Sequence, residues 1–219
     1  MPNLLSVDNI AFTIIGYPMS YVEFIGTVLY LWSVWLISKR RILTWPVSII
    51  SVLLYMALFY QIRLYSDTLE QVYYIGVSIY GWWMWNKSPK DEGQIIDVYY
   101  SNQSVIFQWI ALTAIVSVLT GFFMSRIHIL FPVIFPDAAS FPYLDALTTI
   151  MSFSAMWLMV QKKTESWIYW IIVDIIGIWL YFVKDVKFIS MLYVILLILA
   201  INGLRMWTTV SVRTTNSNA

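Results

Sequence analysis

Residues 162–187 read KKTESWIYWIIVDIIGIWLYFVKDVK, an apolar stretch between two lysine-bearing ends, with Asp174 the single acid inside its apolar part, 166–183. A helix crossing a bilayer needs about 20 mostly apolar residues. This stretch is therefore read as a membrane span at 166–183. Outward from it the same pattern recurs, with further spans at 19–38, 44–62, 69–86, 104–124, 143–161 and 188–207. The breaks between them are charged or turn-rich: KRR at 39–41, RLYSD at 63–67, KSPKDEG at 87–93, KKTES at 162–166 and KDVK at 184–187. The 125–142 connection is apolar but interrupted by prolines, and it reads as an interfacial or partly re-entrant loop.

Composition agrees. Of 219 residues, 60% are hydrophobic and 11% charged, against roughly 25% charged in soluble domains. Seven spans with short loops use nearly the whole chain and leave no room for a separate catalytic domain. The net charge of +1 gives no basic footprint for nucleic acid. With no cysteine, disulfides, thiolate metal sites and cysteine nucleophiles are excluded together. One histidine, His128, and one deep carboxylate are too few for acid–base or metal chemistry, so the chain reads as a non-enzyme without cofactor or metal. The start of the chain lacks a basic n-region and a cleavage site and reads as an interfacial lead-in over 1–18.

One set of loops carries Lys39, Arg40, Arg41, Lys87, Lys90, Lys162, Lys163, Arg205 and Arg213. The other carries only Arg63, Arg126, Lys184 and Lys187. The positive-inside rule makes the first set cytoplasmic, with the N-terminus outside and the C-terminus inside.

The chain also resembles itself. Shifted by 122 residues, Tyr21 falls on Tyr143, Trp35 on Trp157, Trp45 on Trp167, Gly81 on Gly203 and Trp85 on Trp207, while Arg40 and Arg41 meet Lys162 and Lys163. Rare tryptophans carry the match, so chance is a poor explanation. The expected fold is an all-α membrane protein of seven transmembrane helices in a 3+1+3 parallel repeat. Residues 19–86 form the first three-helix repeat and 143–208 the second. A linker with the fourth helix covers 87–142, and a cytoplasmic tail covers 209–219. Transporters are often built from such repeats, with the substrate near midplane between them. A duplicated scaffold or receptor that moves nothing is the alternative.

On the sixth span Trp167, Trp170, Asp174, Gly177 and Tyr181 fall on one helix face, within an arc of about 80°. Asp174 lies roughly 10 Å deeper than Trp167, where a carboxylate costs at least about 2.5 kcal/mol. Such a residue is expected to face a cavity with a partner. The equivalent stripe of the first repeat, Trp45, Ser48, Val52, Tyr55 and Phe59, lacks the second tryptophan and the acid. Two indole faces and one carboxylate suit a flat organic cation. Tryptophans at span ends also form ordinary interfacial belts. Other polar candidates at membrane depth are Gln71 and Tyr74 on the third span, Gln108 on the fourth and Asn202 on the seventh. They suit either an amide or sugar ligand or hydrogen bonds between helices.

The runs WPVSIISVLLY at 45–55, RLYSDTLEQVYY at 63–74, YGWWMW at 80–85 and KKTESWIYWIIVD at 162–174 resemble the PnuC family of bacterial vitamin transporters. The spacing W-x-x-W-x-x-x-D is the most specific part, and the resemblance covers roughly residues 20–208. It implies seven spans in a 3+1+3 arrangement in the bacterial inner membrane, a homotrimer, and facilitated diffusion of nicotinamide riboside followed by cytosolic phosphorylation. It also implies that Trp167 and Trp170 flank the pyridinium ring and that Asn202 contacts substrate. Relatives of the family take thiamine, also a flat cation, or riboflavin, which is neutral. The cation argument favours the first two and does not separate them.

Overall fold

Ser20 and Glu23 form the start signal of the first long helix. The Ser20 hydroxyl accepts from the Glu23 backbone N–H at 3.3 Å, the serine half of a capping box. From there the computed structural model, which describes residues 5–14, 16–87, 96–132 and 137–217, is built of seven helices. These are α1 (Tyr21–Ser38), α2 (Thr44–Gln61), α3 (Tyr65–Asn86), α4 (Gln103–Leu130), α5 (Pro142–Val160), α6 (Ser166–Val183) and α7 (Lys187–Ser217). Six of them are long and apolar enough to cross a membrane. The exception is α3, whose first turns carry Asp67, Glu70 and Gln71.

Two helices outrun their expected ends. α4 continues to Leu130 because 125–130 contains neither proline nor glycine. It stops where Phe131 precedes Pro132, a residue whose ring disfavours helix before it. The first part of the expected 125–142 loop is therefore helix, and 133–136 lie outside the described residues, as does the KSPKDEG segment from 88 onward. α7 passes 207 into the expected tail because nothing after Gly203 breaks it. The lead-in is a hairpin, β1 (Ile10–Ile14) antiparallel to β2 (Tyr17–Ser20), turning at Gly16 with φ +78°. Tyr17 stacks on Phe188 at the start of α7, with centroids 5.2 Å apart. Burial holds the Tyr17 hydroxyl above its ordinary pKa range, and it donates to Glu23 at 2.7 Å.

The 122-residue shift reappears in backbone shape. Arg40, Arg63, Lys162 and Asp185 all have φ between 57° and 63°, and they form two matched pairs. Each closes a helix by the same double bond of the Schellman type. Arg41 N reaches Leu36 O and Lys163 N reaches Leu158 O, while Leu64 N reaches Phe59 O and Val186 N reaches Tyr181 O. Packing across the chain follows the same relation. α1 lies on α7 and α3 lies on α5, and the shift exchanges these two contacts.

The core sits at the end carrying the Arg40 and Lys162 turns. Trp45, Trp85, Trp167 and Trp207 are fully enclosed there. Trp45 meets Trp85 edge to face at 5.2 Å, and Trp167 meets Trp207 likewise at 5.6 Å. Gly81 and Gly203 admit these rings, since a Cβ at either would come within 2.6 Å of the indole of Trp45 or Trp167.

Candidate functional site

The stripe expected on the sixth span lies on the buried face of α6, where Trp167, Asp174 and Gly177 are enclosed. Its members divide between two environments. Trp167 belongs to the tryptophan core, covered by Gly203 and the edge of Trp207. Trp170, one turn deeper, is half-buried. It packs against both that core and a second cluster of Met151, Ala155, Leu158, Tyr169 and Val173.

Asp174 is 3% exposed. Among the described residues no ion pair or hydrogen bond reaches its carboxyl group. Tyr30 of α1 and Tyr193 of α7 lie within electrostatic reach of it. The Tyr193 ring rests against Gly177, where a Cβ would come within 2.5 Å of it. Tyr74 of α3 neighbours both Tyr30 and Tyr193, with Ser152 of α5 in hydrogen-bond reach. Nearby, the hydroxyls of Thr27 and Tyr55 are 2.7 Å apart. Thr149 donates to Glu70 at 3.1 Å. The result is a buried acid within electrostatic reach of the Tyr30 and Tyr193 phenols, which in turn neighbour hydroxyl-bearing side chains of α3 and α5. An arrangement of this kind offers a cation a counter-charge and offers a polyol several hydrogen-bonding groups.

Of the residues expected from sequence, the fold thus brings Asp174 and Tyr74 into one cluster and sets Trp170 one turn from Asp174. Gln71 is buried, and its Nε2 reaches its own helix at the Asp67 carbonyl, 3.4 Å away. Asn202 on α7 and Gln108 on α4 are exposed. Tyr30, Tyr193 and Ser152 were not singled out by spacing. The self-comparison held one usable signal, since Tyr30 falls on Ser152 under the shift of 122 and both reach Tyr74.

Beside the cluster, α3, α4 and α5 enclose an open cleft of about 280 Å³ lined by Tyr73, Trp109, Phe153, Ser154 and Trp157. Trp109 packs on the same cluster of residues as Trp170. No three His, Cys, Asp or Glu side chains converge among the described residues, so nothing there is arranged as a metal centre.

Comparison with known proteins gives this geometry a family. The chain is 29% identical over 209 residues to the nicotinamide riboside transporter PnuC of Escherichia coli, covering 88% of this chain and 87% of that one. It is 27% identical over 202 residues to the riboflavin/roseoflavin transporter RibM of Streptomyces davaonensis, covering 92% and 91%. The crystal structure of the vitamin B3 transporter PnuC shares its fold, with a TM-score of 0.71 and 22% identity over 88% of this chain and 83% of that chain. The family model described as nicotinamide mononucleotide transporter matches residues 20–209, and with nearly the whole chain so covered, this multi-pass membrane protein belongs to that transporter family.

Proposed function

We propose that the protein is a facilitative importer of nicotinamide riboside, a uniporter of the bacterial inner membrane whose substrate is then trapped by cytosolic phosphorylation. One observation carries the reading: Asp174, a buried acid with no basic partner among the described residues, lies within electrostatic reach of tyrosines of both halves. An isolated acid at such depth is costly, and a ligand with a fixed positive charge offsets that cost. Nicotinamide riboside supplies the charge on a flat ring, and its ribose hydroxyls match the surrounding phenols. Trp170, Asp174 and Tyr74 are assigned to the substrate, with Gln71, Gln108 and Asn202 as further polar contacts. Trp167 supports them by packing.

The matched turns and tryptophans 122 residues apart support a 3+1+3 arrangement, with α3 as the seventh span and 19–86 and 143–208 as the repeats. Loop charges favour a cytoplasmic basic end and C-terminus, although Lys90 and the side chain of Arg213 lie outside the described residues. Assembly as a homotrimer belongs to the same reading.

A second reading is favoured by the relative named for riboflavin and roseoflavin, in which the ligand is another flat vitamin, thiamine among them. Purified protein in liposomes decides between these. Labelled nicotinamide riboside should enter saturably without a proton or sodium gradient and be displaced by unlabelled compound more readily than by thiamine or riboflavin. Uptake that demands an ion gradient removes the uniport mechanism, and preferential displacement by another vitamin removes the substrate.

A further inference from the structure

Residues 96–101 run extended across the basic end of the bundle. Ile96 and Val98 are fully enclosed within the tryptophan core, while Asp97 and Tyr99 face out, the alternation of a strand. One end of this segment holds the Arg40 turn. Ile96 N donates to the Arg40 carbonyl at 3.3 Å, and Arg40 Nη1 donates to the Ile96 carbonyl at 2.9 Å. The other end holds the Lys162 turn. Tyr99 N donates to the Lys162 carbonyl and Thr164 N to the Tyr99 carbonyl. Next to it Ser101 N donates to the buried Glu165 carboxylate at 3.3 Å. Arg40 and Lys162 are matched positions of the two halves, and their left-handed turns leave a carbonyl outward for the segment to take.

The geometry points to a latch: we propose that residues 96–101 tie the two halves together at this end and that one of the two attachments must release whenever the protein opens there. The physical reason is length. Three residue steps separate Ile96 from Tyr99, and an extended chain spans at most about 3.3–3.6 Å per residue. The segment therefore reaches at most about 11 Å between its two attachments, and separation of the Arg40 and Lys162 turns beyond that reach breaks a hydrogen-bonded end and withdraws Ile96 or Val98 from the core. This rests on the proposed function for the uptake assay and for naming the face cytoplasmic.

The chain has no cysteine, which permits a direct test. Tyr99 and Lys163 form a parallel bridge with their side chains on one side, the Lys163 ammonium 4.3 Å from the Tyr99 ring centroid. Bridge partners lie within the Cα separation that a disulfide accepts, about 4.4–6.8 Å. In a Tyr99→Cys, Lys163→Cys variant, oxidation should lower nicotinamide riboside uptake at least about tenfold, with recovery on reduction, as for a gating element held shut. Oxidised protein that transports at the reduced rate overturns the latch unless Ile96→Cys, at the attachment the disulfide leaves free, is labelled. If the folded, reduced variant takes up none of the riboside, the substrate assignment fails instead, and labelling decides the latch without any substrate. Ile96→Cys or Val98→Cys, whichever lies at the end that releases, should react with a maleimide measurably but more slowly than the exposed Asp97→Cys. No reaction at either 96 or 98 with full reaction at 97 overturns the proposal.

Discussion

Trp85 Nε1 donates to the Val160 carbonyl at 2.9 Å, fastening the third helix to the last residue of the fifth. Moved by 122 residues, the same bond joins Trp207 Nε1 to the Ser38 carbonyl at 3.1 Å, where it is shared with Ile37. Each half thus donates one indole to the other. The remaining two core indoles, Trp45 and Trp167, have no partner for Nε1 among the described residues.

Trp85→Phe should therefore cost more than Trp45→Phe. The first leaves a buried carbonyl unpaired, a loss of about 1–3 kcal/mol, on top of the lost ring volume. The second removes an indole N–H that was already unpaired. Thermal unfolding of both variants in the same detergent should rank them in that order, and an equal loss would mean the bond contributes nothing.

Glycine pairs give a packing test. Gly203→Ala places a Cβ within 2.6 Å of the Trp167 ring, and overpacking of this kind costs typically about 1–3 kcal/mol. Gly76 on α3 has nothing within 4 Å of such a Cβ. Gly76→Ala should instead be neutral or stabilise by roughly 0.5–1 kcal/mol through helix propensity. Unfolding temperatures moving in opposite directions would bear this out.

The two tryptophans of α6 should separate by phenotype. Trp167→Ala empties the core and is expected to cost about 3–5 kcal/mol, with loss of folded protein. Trp170→Ala should be milder in stability but should weaken riboside binding by roughly tenfold or more, an aromatic–cation contact being worth up to about 2 kcal/mol when desolvated. Size-exclusion profiles report the first effect and ligand titration the second.

Asp174→Asn keeps shape and removes the buried acid. The folded protein should be as stable or more so, because an unpaired buried carboxylate is a burden, while uptake of the cationic riboside should fall at least about tenfold. Unchanged uptake in a folded variant would separate Asp174 from the substrate.

Much of the framework was legible because bilayer spans announce themselves by apolar length, and the 44–61 and 166–183 helices begin and end within a residue of where hydropathy puts them. The tryptophan repeat identified positions that meet in one core. What stayed hidden needed three dimensions. Spacing alone put Trp167 and Trp170 on the same face, but only the approach of Gly203 from α7 distinguishes an enclosed ring from a half-buried one. The tyrosines around Asp174 come from helices far apart in the chain, so no local pattern contains them. The hairpin at 10–20 was missed because its strands are short and one turn residue, Gly16, is their main signal.

The four left-handed helix ends carry a last consequence. The two halves share a backbone contour together with its discomfort, because arginine, lysine and aspartate hold a conformation that glycine adopts freely. That likeness offers an engineering handle away from the proposed ligand cluster: the exposed pair Arg63→Gly and Asp185→Gly relieves a local penalty of roughly 1–2 kcal/mol per position, less the entropy glycine adds to the unfolded chain.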